Sequence, residues 1–178
     1  MKNLKQSIKV MLLLVVAVSY GQKKMDHGHN HNKHKADMNM MENKTALEFN
    51  NKDMAASYGH YLHIKTALVS SNGKEAQNGA VMLTKSLKGV KDADKALKAA
   101  KGMSSSADLN TQRTAFSDLS NAMAVLVKGN LKSGTVYKGF CPMALNGGAY
   151  WLSSEKEIQN PYYGDKMLKC GSVKEVIQ

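Results

Sequence analysis

The stretch Asn51-Lys52-Asp53-Met54-Ala55-Ala56-Ser57-Tyr58-Gly59-His60-Tyr61-Leu62-His63-Ile64-Lys65-Thr66-Ala67-Leu68-Val69 decides the fold. Met54, Tyr58, Tyr61, Leu62, Leu68 and Val69 recur at helical spacing, so the segment reads as an amphipathic helix starting at Asn50 or Asn51. Ser70-Ser71-Asn72-Gly73 stops it. A second helix follows, with Ala76, Ala80, Leu83, Leu87 and Val90 as its buried face and Gly89 near its end. Asp92 is expected to cap a short continuation, Ala93 to Ala100, stopped by Gly102. A further long helix opens on a capping-box pattern at Ser105 and Asp108 and ends near Gly129. Its stripe is Leu109, Phe116, Leu119, Met123, Leu126 and Val127. Stripes of this kind bury one another, which predicts an all-α fold: a small antiparallel bundle of three to four helices. Lys65 and Arg113 fall inside or beside the stripes, where each should snorkel or meet a carboxylate or carbonyl.

Beyond Gly134 the texture changes. Val136-Tyr137 and Tyr150-Trp151-Leu152 read as short extended pieces joined through a turn at Asn146-Gly147-Gly148. Asn160-Pro161-Tyr162-Tyr163-Gly164 is a second turn. A helical turn or two should follow, with Gly171 as its cap. This irregular C-terminal segment, with its short strands, is expected to pack on the bundle, giving one domain over residues 45–178.

Upstream, Lys2, Lys5 and Lys9 precede an apolar run from Val10 to Val18, and Ser19-Tyr20-Gly21 ends in a small residue. The run is shorter than the ~20 residues a membrane span needs, so residues 1–21 read as a cleaved secretory signal peptide and the protein as periplasmic or secreted, not membrane-spanning after cleavage. Loss of those lysines lowers the formal charge from +11 to +8. The excess is lysine, with Arg113 the only arginine, and neither arginine forks nor interleaved aromatics are evident. That composition argues against nucleic acid as a partner. Residues 22–44 are rich in His, Met, Asn and Lys and poor in large aliphatics, the composition of a disordered segment.

The chemistry-bearing residues fall into two groups. His27, His29, His31 and His34 lie within eight residues of one another, followed by Met38, Met40 and Met41. Clustered imidazoles suit copper(II), nickel or zinc, and methionine adds a preference for copper(I). The only two cysteines each carry a methionine within three residues: Cys141-Pro142-Met143 and Met167-Leu168-Lys169-Cys170. In extended chain Cys141 and Met143 would point to one side; on a helix Met167 and Cys170 would share a face. Brought together, Cys141, Met143, Met167 and Cys170 would offer up to four soft donors to copper(I). The alternative is a structural disulfide between Cys141 and Cys170, closing a loop of about 29 residues and worth roughly 3–4 kcal/mol in the chain-entropy model. The two can coexist, as a redox-gated site that binds only when reduced. His60 and His63, at i and i+3, lack a further ligand at helical spacing and read as exposed histidines. Trp151 and the Tyr162-Tyr163 pair read as packing that shields the C-terminal segment. No Cys-x-x-Cys pair and no nucleophile-elbow serine is present, so the chain reads as a binding protein and not an enzyme.

Cys141-Pro142-Met143-Ala144, Trp151-Leu152-Ser153, Ile158-Gln159-Asn160-Pro161-Tyr162-Tyr163-Gly164 and Met167-Leu168-Lys169-Cys170-Gly171 together resemble the exported bacterial family known as domain of unknown function 3347. Tyr61-Leu62-His63-Ile64-Lys65-Thr66-Ala67-Leu68-Val69 is similar to its opening helix, and Arg113 with Phe116 and Leu119 to a later one. The resemblance covers roughly residues 50–178. It implies a small helical domain of the cell envelope, associated with heavy-metal efflux adaptors and copper-handling proteins, and it brings no catalytic residues. The expectation is a periplasmic heavy-metal protein, for copper first, that buffers metal or delivers it to an efflux pump adaptor or other envelope copper protein. Its alternative is a non-catalytic interaction module with Cys141 and Cys170 bridged.

Overall fold

Asn51 starts the first helix from an extended backbone, its side-chain oxygen accepting from the Met54 N–H at 2.7 Å and satisfying one of the donors a helix start leaves free. The computed structural model describes residues 46–178. Within them lie four helices: α1 (Lys52–Val69), α2 (Gly73–Ser86), α3 (Asp94–Ser104) and α4 (Leu109–Asn130). The expected signal peptide and the His/Met-rich segment lie outside the described residues.

Asn72 caps α2 by accepting from Glu75 N–H at 3.0 Å. At α4 the cap is Asp108, whose carboxylate accepts from Thr111 N–H at 2.8 Å and from its hydroxyl. The capping box expected at Ser105 is therefore displaced by three residues; Ser105 instead closes the C-terminus of α3, donating to Gly102 O at 2.7 Å. Asp92 does not cap α3 either. It sits in a left-handed turn at φ 58, and the helix starts at Asp94 without a side-chain cap. The helix also runs through Gly102 to Ser104, since Ala96, Ala100 and Met103 lie on one face and are all buried.

The core follows the periodic residues. Met54, Tyr58, Tyr61 and Leu68 of α1 are buried, as are the five expected positions of the second helical stretch, whose last turn is a 3₁₀ helix at Leu87–Gly89. Phe116, Leu119, Met123, Leu126 and Val127 fill the centre from α4. Leu62, Val69 and Leu109 are half-buried at the edge of their stripes, while Ser57, Ile64 and Lys65 take the inner positions of α1.

The architecture is not purely all-α. A two-stranded antiparallel pair, β1 (Glu48–Phe49) with β2 (Leu131–Ser133), flanks the helices. β3 (Val136–Cys141), β4 (Ala149–Ser153) and β5 (Ser172–Ile177) form a three-stranded antiparallel sheet in the order β4-β3-β5. The extended pieces expected at Val136 and Tyr150 are its first two strands. β5 has no counterpart in the sequence reading, and it puts β3 in the middle.

Side chains from the bundle hold this sheet. The Tyr61 hydroxyl accepts from Leu152 N–H at 2.9 Å and shares a hydrogen bond with Ser120 Oγ at 2.8 Å; burial raises its pKa, so it remains a phenol. Rings of Tyr58, Tyr61, Phe116, Tyr162 and Trp151 run from α1 through α4 into the C-terminal segment, with successive centroids 5.2–6.3 Å apart. Arg113 meets carbonyls: Nε donates to Pro161 O at 3.1 Å, and one terminal nitrogen to Leu68 O at 3.3 Å and Ser71 Oγ at 3.1 Å. It thereby caps α1 and fastens the turn at Pro161. Lys65 is only 6% exposed, with Nζ donating to Ser153 Oγ at 3.5 Å.

Candidate functional site

β3 ends at Cys141 and β5 begins two residues after Cys170. The antiparallel register pairs Phe140 with Ser172 and Gly139 with Val173, so the pairing itself draws the two cysteines to the same end of the sheet. Their sulfurs stand 3.2 Å apart as free thiols. The missed strand is thus what assembles the site.

Backbone anchors hold Cys170 there. Asn160, fully buried, donates from Nδ2 to Cys170 O at 3.1 Å and accepts the Tyr162 N–H on Oδ1 at 2.8 Å. Its own N–H reaches Leu168 O at 2.8 Å. Gly171 follows at φ 131, where a Cβ would come within 2.7 Å of Phe140 O and 2.8 Å of the Trp151 ring; the chain can turn there only without a side chain. Trp151 also lies over Gly139, at 2.5 Å from where a Cβ would stand. Its indole is therefore clamped between β3 and the residue after Cys170, which is the shielding role expected of it. Sequence reasoning gave Asn160 only a turn role; the signal for more was an amide side chain amid apolar and aromatic residues.

The two thiols differ in exposure. Cys141 is fully buried and Cys170 is half-exposed. The hydrogen bond with Cys141 is the main influence raising the Cys170 pKa, with desolvation and the neighbouring sulfur's charge adding to it.

The methionines fall differently. Cys141 and Met143 do not lie on one extended stretch, because the strand ends and Cys141 O accepts from Ala144 N–H in a turn at 3.4 Å. Met143 is 61% exposed. Its carbonyl accepts from the Tyr163 hydroxyl at 2.6 Å, which ties this loop to the opposite turn. Met167 ends a 3₁₀ helix (Gly164–Met167) and is half-buried; Cys170 N–H donates to its carbonyl at 3.0 Å, so one short turn carries both. Among the described residues no group of three or more His, Cys, Asp or Glu side chains converges. His63 Nε2 lies 2.7 Å from Glu75 Oε1 on α2. His27, His29, His31 and His34 lie outside the described residues.

The donor set here is two adjacent thiols, with Met167 half-buried one turn from Cys170 and Met143 exposed; sulfur donors as a class suit soft ions better than hard ones. Thiolate–metal bonds of about 2.3 Å at a tetrahedral angle put two sulfurs about 3.8 Å apart, against about 2.05 Å in a disulfide. The observed 3.2 Å spacing lies between them.

A family model described as a protein of unknown function (DUF3347) matches residues 57–134. The matched span runs from within α1 to the turn before β3, so the helical part of the chain is similar to that family and the cysteines lie beyond the match. No curated protein and no solved structure matches the chain. Among the described residues no helix is long and apolar enough to cross a membrane.

Proposed function

We propose that this is an exported, non-enzymatic metal-binding protein that takes up copper(I) between Cys141 and Cys170 and buffers it or hands it to a heavy-metal efflux system. The observation that carries the reading is the 3.2 Å approach of two free thiols held by Asn160 and the β3–β5 pairing. Copper(I) is satisfied by few, soft ligands, whereas structural zinc asks for four protein donors. Met167, one turn from Cys170, is the better placed methionine to add a third sulfur. Met143 would have to swing in from solvent. His27, His29, His31 and His34 serve as a capture segment, for copper(II), nickel or zinc as well as copper. Resemblance to an exported family linked to efflux adaptors supports the assignment to the cell envelope.

The same approach of the sulfurs supports a second reading, an interaction module whose Cys141–Cys170 bridge is structural. The discriminating experiment is a copper(I) titration of the reduced chain, with the four tail histidines replaced by alanine, against a competing chelator, following Trp151 fluorescence. One-to-one uptake that disappears in Cys141→Ser and Cys170→Ser supports the metal site. No uptake above the chelator's, with a bridge persisting in mild reductant, supports the module.

A further inference from the structure

The two thiols are neighbours but not equivalents. Cys141 is the last residue of a central strand and fully buried. Cys170 sits on a turn between a 3₁₀ helix and β5 and is half-exposed. A molecule arriving from solvent meets Cys170 first, because Cys141 has no exposed surface.

We infer that Cys170 is a site of reversible S-thiolation by small soluble disulfides, and that Cys141 is the resolving thiol that converts the adduct into an internal disulfide. In the first step the Cys170 thiolate attacks one sulfur of RS–SR, forming a protein–SR bond and releasing RS⁻. In the second, the Cys141 thiolate attacks the Cys170 sulfur, forming the Cys141–Cys170 bond and expelling the second RS⁻. Two thiols lose two protons and two electrons, and one external disulfide gains the electrons. The 3.2 Å sulfur spacing makes the second step intramolecular and fast compared with encounter of a further disulfide. The anchored Cys170 backbone, held through Asn160 Nδ2, lets the bridge form by side-chain rotation. Closure consumes both thiolates, so the oxidised protein no longer takes up copper(I). This last consequence rests on the metal-binding reading; the order of attack does not.

The test uses the full reduced chain and glutathione disulfide at one fixed pH, read by intact mass after acid quench. Wild type should finish two hydrogens lighter, without a retained adduct. Cys141→Ser should accumulate the glutathione adduct, and Cys170→Ser should react at least tenfold more slowly. Because Cys141 is in the core, the first adduct is also mapped in wild type quenched at early times, where it should sit on Cys170. An adduct mapped to Cys141, or Cys170→Ser reacting as fast as Cys141→Ser, overturns the order of attack; an adduct that persists in wild type overturns the resolving step. Copper(I) uptake by reduced and oxidised wild type is then compared. Uptake by both forms overturns the closure, while uptake by neither removes the metal reading and leaves the exchange chemistry standing on its mass data.

Discussion

The Tyr61 hydroxyl accepts a hydrogen bond from Leu152 N–H at 2.9 Å across 91 positions of chain. One buried phenol on α1 thereby fixes β4, and through the β3–β4 register, which sets Cys141 opposite Ala149, the end of the strand that carries a thiol. Helices and sheet should therefore unfold as one unit.

Tyr61→Phe tests that coupling. The ring stays and the hydroxyl goes, leaving Leu152 N–H and Ser120 Oγ buried without their partner. An unmet buried donor costs about 1–3 kcal/mol. Urea unfolding followed by Trp151 fluorescence and by far-ultraviolet circular dichroism should show both transitions lowered together by that amount. A fluorescence transition that separates from the helical one would mean that the sheet melts independently.

Asn160→Ala should weaken the site without touching a sulfur. The Cys170 carbonyl loses its donor at 3.1 Å and the Tyr162 N–H its acceptor at 2.8 Å. Outer groups that orient metal ligands are commonly worth 10- to 100-fold in affinity, and a loss in that range is expected for copper(I) in the chelator competition. Thiol titration must still count two accessible groups after denaturation. Unchanged copper affinity would show that Cys170 does not need its anchor.

Gly171→Ala places a methyl group at a left-handed position 2.7 Å from Phe140 O. Backbone strain of this kind costs about 1–3 kcal/mol. The displacement should open the junction between Cys170 and β5, so slower Cys141–Cys170 bridging by glutathione disulfide is expected alongside the lower stability. Bridging at the wild-type rate would place the thiol approach under the control of other contacts.

Lys65 makes a pH prediction. Burial depresses its pKa below the ordinary 10.5, and Glu155 opposes the shift only in part. Between the lowered folded value and the unfolded one, the unfolded chain binds the extra proton. Stability attributable to this group therefore rises with pH across that alkaline window, and its cost is fully present below it. Lys65→Met removes the buried charge, so the variant should be more stable than wild type at neutral pH, with the difference shrinking as pH climbs toward 10.5. A difference constant with pH would show that Lys65 carries its charge at no cost.

The helical half was legible because its packing is written at helical spacing: the stripes of α1, of α2 with its 3₁₀ turn, and of α4 are the core. Cap positions were less so. Ser105 and Asp108 both suit a helix start, and only the Ser105 bond to Gly102 O assigns Ser105 to the helix before. The strand after Gly171 was hidden by its length and by its burial: Val176 is 51% exposed and only Ile177 is buried, so the apolar alternation that marks a half-buried strand is blurred. That omission mattered most for the site. Two cysteines separated by 29 positions meet because β5 pairs with β3, a long-range choice that local spacing does not encode. Met143 lies elsewhere for a related reason, since the strand stops at Cys141, two residues short of what an extended Cys-Pro-Met reading requires.

The central claim is that Cys141 and Cys170 bind one soft metal ion together. X-ray absorption at the copper edge of the reduced chain, loaded with one equivalent of copper(I) and with His27, His29, His31 and His34 replaced by alanine, tests it most directly. The account predicts a first shell of two or three sulfurs that is lost on Cys141→Ser. A shell of nitrogen and oxygen donors, or the same sulfur shell in Cys141→Ser, would contradict it.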